Sequence, residues 1–327
     1  MDTLTDVLRR ASVRGSVAAS VVAGGSWGML MDANAMPGAA FHAVTAGTAC
    51  LLMNGRSPLS LVSGDLVLLP SGSTHVLASD PSAPVRPFDH DGAAAAVKAG
   101  ENLPVGTQPA ATRILCAAFR HDPATAFNAF GLLPDVVHVP ALTAPPPLRS
   151  ALQLLGDELA HPGPGASAVL DHIVHIMLIQ LLRVWLESSR AAEHPPSWLR
   201  GLTDPVTAAA LTAIHRDPAY PWTLETLARS AGVSRATLVR RFSTEVGCPP
   251  AEYLTKWRME LAANKLRLTA LPVAHIARDV GYTSEYAFNR TFARWQGVPP
   301  GRYRTVFIVR SQPVGGSPQE TASLNET

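Results

Sequence analysis

Two hydrophobic periods divide the chain. From residue 17 to about residue 140 the apolar residues come in short runs cut by Gly, Pro, Asn and Ser: Val44–Met53, Asn54-Gly55, Leu59–Val62, Gly64-Asp65, Leu66–Leu69, then Pro70-Ser71-Gly72. Asn-Gly between apolar runs signals a hairpin, because both residues tolerate the positive φ of a tight turn. Strands this closely spaced predict a small barrel or sandwich. Residues 80–111 break the pattern with Pro, Asp, Gly and the alanine run 93–96, and read as a long mobile insertion; strand character returns at Arg113–Phe119. From Pro147 the period becomes helical. Leu148, Leu152, Leu155 and Leu159 share one face, and residues 162–165 break that helix. Val169, Ile173, Ile176, Leu178, Leu181, Leu182 and Trp185 then predict a long helix, apolar around most of its surface. Such a helix must be covered, either under the barrel or by a partner chain. Residues 191–205, with Pro195, Pro196 and Pro205, read as a linker.

The last third repeats itself. Leu227-Ala228 and Gly232 recur 49 residues later as Ile276-Ala277 and Gly281; Phe242, Gly247 and Tyr253 recur 50 residues later as Phe292, Gly297 and Tyr303. Each copy has helix-turn-helix logic. A short helix ends at a Gly suited to positive φ. Val233 or Tyr282 plugs the corner. A Ser or Thr then caps the next helix: Ser234 in the first copy, Thr283 or Ser284 in the second. Leu238 and Phe242, or Phe288 and Phe292, turn inward at four-residue spacing. The outward face therefore carries Arg235, Val239, Arg240 and Arg241 in one copy, and Glu285, Asn289, Arg290 and Arg294 in the other. An Arg-rich helix on a rigid turn suits the DNA major groove.

Charge and cysteine count narrow the class. Residues 197–304 hold 15 Lys/Arg against 8 Asp/Glu, whereas residues 1–196 hold 11 against 15, so a net charge of only +2 hides one basic end suited to a polyanion. Charged residues at 16% and hydrophobic ones at 47% fit a globular chain rather than a disordered one. Cys50, Cys116 and Cys248 show no metal or redox spacing, which suggests a reducing, cytoplasmic setting. Residues 1–14 lack the apolar core of a secretory signal, and the apolar stretch Ile173–Leu182 reads as too short and polar to span a bilayer; no membrane partner is implied.

Gly281-Tyr282-Thr283-Ser284, Phe288-Asn289-Arg290-Thr291-Phe292 and Gly297-Val298-Pro299-Pro300-Gly301-Arg302-Tyr303-Arg304 resemble the AraC/XylS family of bacterial transcription regulators. The resemblance implies that Arg235, Ala236, Val239 and Arg240, then Glu285, Tyr286, Asn289 and Arg290, approach base edges of double-stranded DNA. Ala236 and Val239 offer a thymine methyl only apolar contact. It also implies a sensing domain in front, a homodimer and RNA polymerase as a further partner. Residues 41–47 and 64–75 resemble the signature stretches of a cupin barrel, in the AraC-fused subgroup that includes reactive-chlorine sensors. That fold brings His42 and His75 toward one lumen. The acid and second His of a metal-binding cupin are missing after His42, so the two are expected to shape a pocket, with no cofactor. Cys116 falls where the chlorine sensors carry a reactive Cys, but residues 16–27 lack its partner, and a buried inert thiol is expected. His172 and His175, three apart, read as packing residues.

The expected class is thus α+β: a cupin-like sensing domain over 1–140, a helical dimerisation or linker segment over 141–196, a double helix-turn-helix domain over 197–307 and a disordered tail over 308–327. The function expected is a DNA-binding transcriptional regulator, not an enzyme, answering to a small-molecule or oxidant effector at His42, His75 and Cys116. The competing reading is a metal-dependent cupin oxygenase or isomerase with an appended DNA-binding domain.

Overall fold

The computed structural model describes residues 2–11, 13–35, 38–107, 109–120, 129–188 and 194–311, with side chains to residue 306. They form two compact units, residues 1–216 with 224–250, and residues 217–223 with those from 251 on.

The first unit opens with helix α1 (Thr3–Arg10), capped by Asp2, whose carboxylate accepts the Thr5 N–H. Among the described residues eleven strands follow: β1 (Arg14–Gly24), β2 (Gly28–Met31), β3 (Ala39–Ala46), β4 (Thr48–Leu52), β5 (Leu59–Val62), β6 (Leu66–Leu69), β7 (His75–Ala78), β8 (Val85–Pro87), β9 (Leu103–Gly106), β10 (Thr112–Arg120) and β11 (Val137–Val139). They make a six-stranded sheet, β11-β6-β3-β10-β1-β9, and a five-stranded sheet, β5-β4-β7-β2-β8. Their shared core holds Val21, Trp27, Met29, Val44, Leu51, Leu61, Val67, Leu69, Leu77, Ile114 and Cys116. The Asn54-Gly55 hairpin forms as expected, with Leu51 opposite Leu59. The run Val44–Met53 is two strands, not one. Gly47, at φ +73°, sends the chain from one sheet to the other, and a Cβ there would lie 2.3 Å from the Ala111 carbonyl oxygen.

Residues 80–107 and 109–111, expected to be a mobile insertion, instead carry regular structure. They fold as β8, helix α2 (His90–Ala99) and β9. The alanine run is the helix itself, with Asp89 capping the Gly92 N–H at its start and Gly100 closing it in a left-handed conformation. Parallel pairing of β8 to β2 and β9 to β1 completes both sheets.

Helices α3 (Pro146–Ala160) and α4 (Ala166–Glu187) follow. They pack on each other, and α4 lies along β1, so Phe41, Leu66, Leu68, Leu115 and Phe119 are buried on the second face of the six-stranded sheet. By length and composition, 22 residues with an 18-residue window at a mean hydropathy of 1.6, α4 could cross a bilayer, contrary to the shorter stretch read from sequence. In the fold, Ile173, Val174, Met177, Leu178, Leu181, Leu182 and Trp185 instead make a buried face. The rest is not covered: Val169 and Ile176, with Leu154 of α3, remain exposed.

Part of the expected linker is helical: α5 (Trp198–Gly201) sits within it and α6 (Pro205–Arg216) begins at its end, while residues 189–193 lie outside the described residues. Helices α7 (Leu224–Ser230) and α8 (Arg235–Val246) complete the first unit. The Asp6 carboxylate ties α1 to α6, bonding His215 Nδ1 at 3.0 Å and Arg10 Nε at 2.7 Å; Asp6 and His215 are both buried.

Helix α9 (Pro250–Leu268) leads into the second unit, followed by α10 (Val273–Asp279), α11 (Glu285–Gln296) and α12 (Pro300–Ser311). Its core packs Phe292 at a tilt against Phe288 and edge-to-face against Tyr303, at centroid spacings of 5.6 and 5.3 Å, and Trp257 of α9 is fully buried. Helix α12 runs past the expected boundary at residue 307; the rest of the expected tail, 312–327, lies outside the described residues.

Candidate nucleic-acid interface and a buried histidine pair

The repeat becomes two matching helix-turn-helix units, α7–α8 and α10–α11. Gly232 and Gly281 take φ +68° and +85° at the corners. Ser234 accepts the Thr237 N–H at 3.2 Å, and Ser284, not Thr283, accepts the Ala287 N–H at 3.3 Å. Leu238 and Phe242, then Phe288 and Phe292, are fully buried, which fixes the opposite faces outward.

On α8, Arg235, Ala236 and Arg240 are exposed and Val239 is half-buried. Neither Arg235 nor Arg240 has an ion pair among the described residues. Arg241 is placed differently: it is half-buried and pairs with Asp204, whose other carboxylate oxygen caps α6 at the Thr207 N–H. Sequence reasoning missed Asp204, although Asp before Pro205 has the N-cap and N1 pattern of a helix start. On α11, Glu285, Tyr286, Arg290 and Arg294 are exposed, Tyr286 to 72%. Asn289 is half-buried, and its Oδ1 is buried with no hydrogen-bond partner among the described residues. Beside this face the Lys256 ammonium lies 5.3 Å from the Trp295 ring centroid.

The barrel brings His42, Cys116 and His75 together. Strand register sets His42 opposite Cys116, and their Nδ1 and Sγ atoms are 3.2 Å apart. His42 Nε2 lies 2.8 Å from His75 Nε2, and His75 Nδ1 lies 2.7 Å from the Ser73 carbonyl. Burial, then His75, holds the His42 pKa well below its ordinary value; burial also lowers that of His75, against the Ser73 bond. Both rings are therefore neutral, and one tautomer chain satisfies every contact. The Ser73 carbonyl only accepts, so His75 donates from Nδ1 and accepts at Nε2. His42 donates to it from Nε2 and accepts the Cys116 S–H at Nδ1. Burial pushes the Cys116 thiol up to about 12, consistent with a donor. The adjoining cavity of about 30 Å³ has room for roughly one water.

The residues present do not fit a resident cupin metal. Both imidazoles spend their nitrogens within this chain, and among the described residues no three His, Cys, Asp or Glu side chains converge on a metal position. His172, with Nδ1 2.6 Å from the Ala168 carbonyl, and His175 lie apart from the pair.

A two-sheet barrel with an inward His pair, joined to two helix-turn-helix units, has the build of a DNA-binding regulator with a separate front domain. A cupin family model matches residues 2–187, and a helix-turn-helix domain model matches residues 227–305. An AraC-like transcription regulator of Streptomyces lividans is 40% identical over 93% of this chain and 98% of its own length. RclR, an RCS-specific transcriptional activator of Escherichia coli, is 27% identical over 93% of this chain and 98% of its own length. The solved DNA-binding domain of AdpA, in complex with a target DNA, is 30% identical and covers 34% of this chain and 99% of that one, at a TM-score of 0.32. The chain belongs to the AraC-like transcription regulators, with a cupin domain in front.

Proposed function

We propose that this regulator reads promoter DNA through the outward faces of α8 and α11, with Arg235, Arg240, Arg290 and Arg294 as the cationic contacts, and that the cupin domain sets its activity in response to a small molecule or an oxidant. The observation that carries this reading is the pair of capped helices whose outward arginines have no ion pair among the described residues. Arg241 is withdrawn from the set by Asp204. Such arginines suit bidentate contact with guanine or with phosphate. The exposed apolar side chains Leu154, Val169 and Ile176 favour a homodimer through α3 and α4. The work is cytoplasmic, and where the bound promoter is activated RNA polymerase is the further partner. A separate enzymatic role has less support, because His42 and His75 face each other rather than a shared ligand.

Genome-wide DNA pull-down sequencing with purified protein at two salt concentrations tests the reading. A small set of promoter-proximal sites that weakens as salt rises is expected. Binding that shows neither salt dependence nor preferred sites refutes it. Light scattering of Ile176→Glu tests the dimer: a wild-type dimer converted to monomer is expected, and an unchanged mass counts against α4.

A further inference from the structure

The two sheets leave a seam on one side of the barrel. β8 and β9 are the outermost strands of their sheets, each hydrogen-bonded to one neighbour in its sheet. Between them opens a cavity of about 390 Å³, at the small end of the ligand-pocket range. Its lining is mixed: the apolar side chains of Trp27, Met29 and Phe88 lie mostly buried beneath it, Leu103 and Val105 are half-buried, and Ser26, Thr107 and backbone groups supply the rest. One cation stands on the rim. Arg86 is exposed and has no ion pair among the described residues. The rim carboxylate, Asp89, is already engaged as the cap of α2. Proline punctuates both open edges, as Pro84 and Pro87 on one side and Pro104 on the other. Proline removes the N–H donors that an added strand needs, which disfavours a peptide as the occupant.

We propose that this seam binds a small hydrophobic carboxylate, its apolar body against Trp27, Met29 and Phe88 and its carboxylate on Arg86. The proposal rests on the reading of the front half as a sensor, and it names the place and chemistry of the signal. Arg86 has no ion pair among the described residues whereas Asp89 is held by the Gly92 N–H, which leaves the guanidinium as the group open to an anion, and the apolar side chains in the lining favour an aromatic or branched body over an inorganic ion. Phe88 also lines the small cavity beside His42, His75 and Cys116, so a ligand seated on Phe88 shares a wall with the histidine pair.

Calorimetric titration of the purified full chain with phenylacetate, its neutral isostere phenylacetamide and the cation phenethylamine tests this. Phenylacetate should bind about tenfold or more tightly than the amide, the scale of one charge-assisted bond, and the amine weakest. Arg86→Gln should erase the preference and leave amide binding in place. Leu103→Trp, which fills the cavity, should abolish binding of all three. Equal binding of acid and amide, a preference that survives Arg86→Gln, or no binding at millimolar concentration overturns the proposal. Promoter binding is measured on the same preparations without any probe. Specific DNA binding with no carboxylate preference removes the seam site alone. A carboxylate preference without specific DNA binding upholds the seam site and removes the regulator reading.

Discussion

Arg240 and Arg241 are adjacent on α8, yet their replacement by alanine should have opposite consequences. Arg240 is exposed and has no ion pair among the described residues, so Arg240→Ala should change folding stability by less than about 0.5 kcal/mol. If the guanidinium reads a guanine edge, its loss costs about 1–3 kcal/mol of binding, or roughly 5- to 150-fold in affinity. If it holds a phosphate, the loss is spread over all sequences and the salt slope falls by about 1. Arg241 holds Asp204, a carboxylate only 11% exposed whose pKa is lowered, against the opposing effect of burial, by the Thr207 N–H and by Arg241. Arg241→Ala leaves that carboxylate with Thr207 alone. Because Arg241 is itself 40% exposed, the pair is partly screened, and the loss should be about 1 kcal/mol of stability with a smaller effect on DNA. Fluorescence anisotropy on the recovered promoter fragments, alongside thermal unfolding, separates the two. Unchanged promoter affinity in Arg240→Ala would refute the assigned reading face. Equal affinity losses in both variants with no stability loss in Arg241→Ala would refute the division of labour.

Acid should weaken the fold. The pKa values of His42 and His75 lie below 6.5 in the folded chain, so the unfolded chain takes up protons first as pH falls; stability is full above about 6.5 and declines below it. The slope reaches at most about 1.4 kcal/mol per pH unit per histidine; thermal scans from pH 7.5 to 5 should show it, shallower in a His42→Gln, His75→Gln double variant, and a flat wild-type profile refutes the burial argument. With its thiol near 12, Cys116 should resist iodoacetamide in the folded protein at pH 8, and labelling at the rate of an ordinary thiol, followed by peptide mass spectrometry, contradicts that. Gly232→Ala and Gly281→Ala should differ. Both require positive φ, at about 1–2 kcal/mol, but only at Gly281 does the new Cβ lie 2.7 Å from a backbone oxygen, that of Ala219. Equal midpoints for the two variants in urea would show that the second turn relaxes freely.

What was legible in the sequence was local. Gly232, Ser234, Leu238 and Phe242, like their partners 49 or 50 residues on, act within a few turns of one helix pair, and four-residue spacing alone says which face is buried. What was not legible depended on distant pairing. The alanine run 93–96 looked like a break because nothing nearby showed that β8 and β9 would join β2 and β1 in parallel. The caps Asp89 and Gly100 were the available signal. Gly47 gave no warning that it would divide an apolar run between two sheets. The meeting of His42 and Cys116 needed the register of β3 against β10. Arg241 looked like its neighbour Arg240 until Asp204, 37 residues earlier, was placed beside it.

The bond between Asp6 and His215 limits how freely regulators of this build exchange parts. A sensing half from one protein and a reading half from another are natural pieces to splice, yet here the first ten residues supply the carboxylate that an imidazole near the start of the reading half needs. A chimaera joined at residue 197 would bury His215 against a foreign surface, leaving a ring nitrogen without its acceptor. Recombination at that joint would be less costly when the acidic position near the amino terminus travels with the histidine, which couples two sites 209 residues apart.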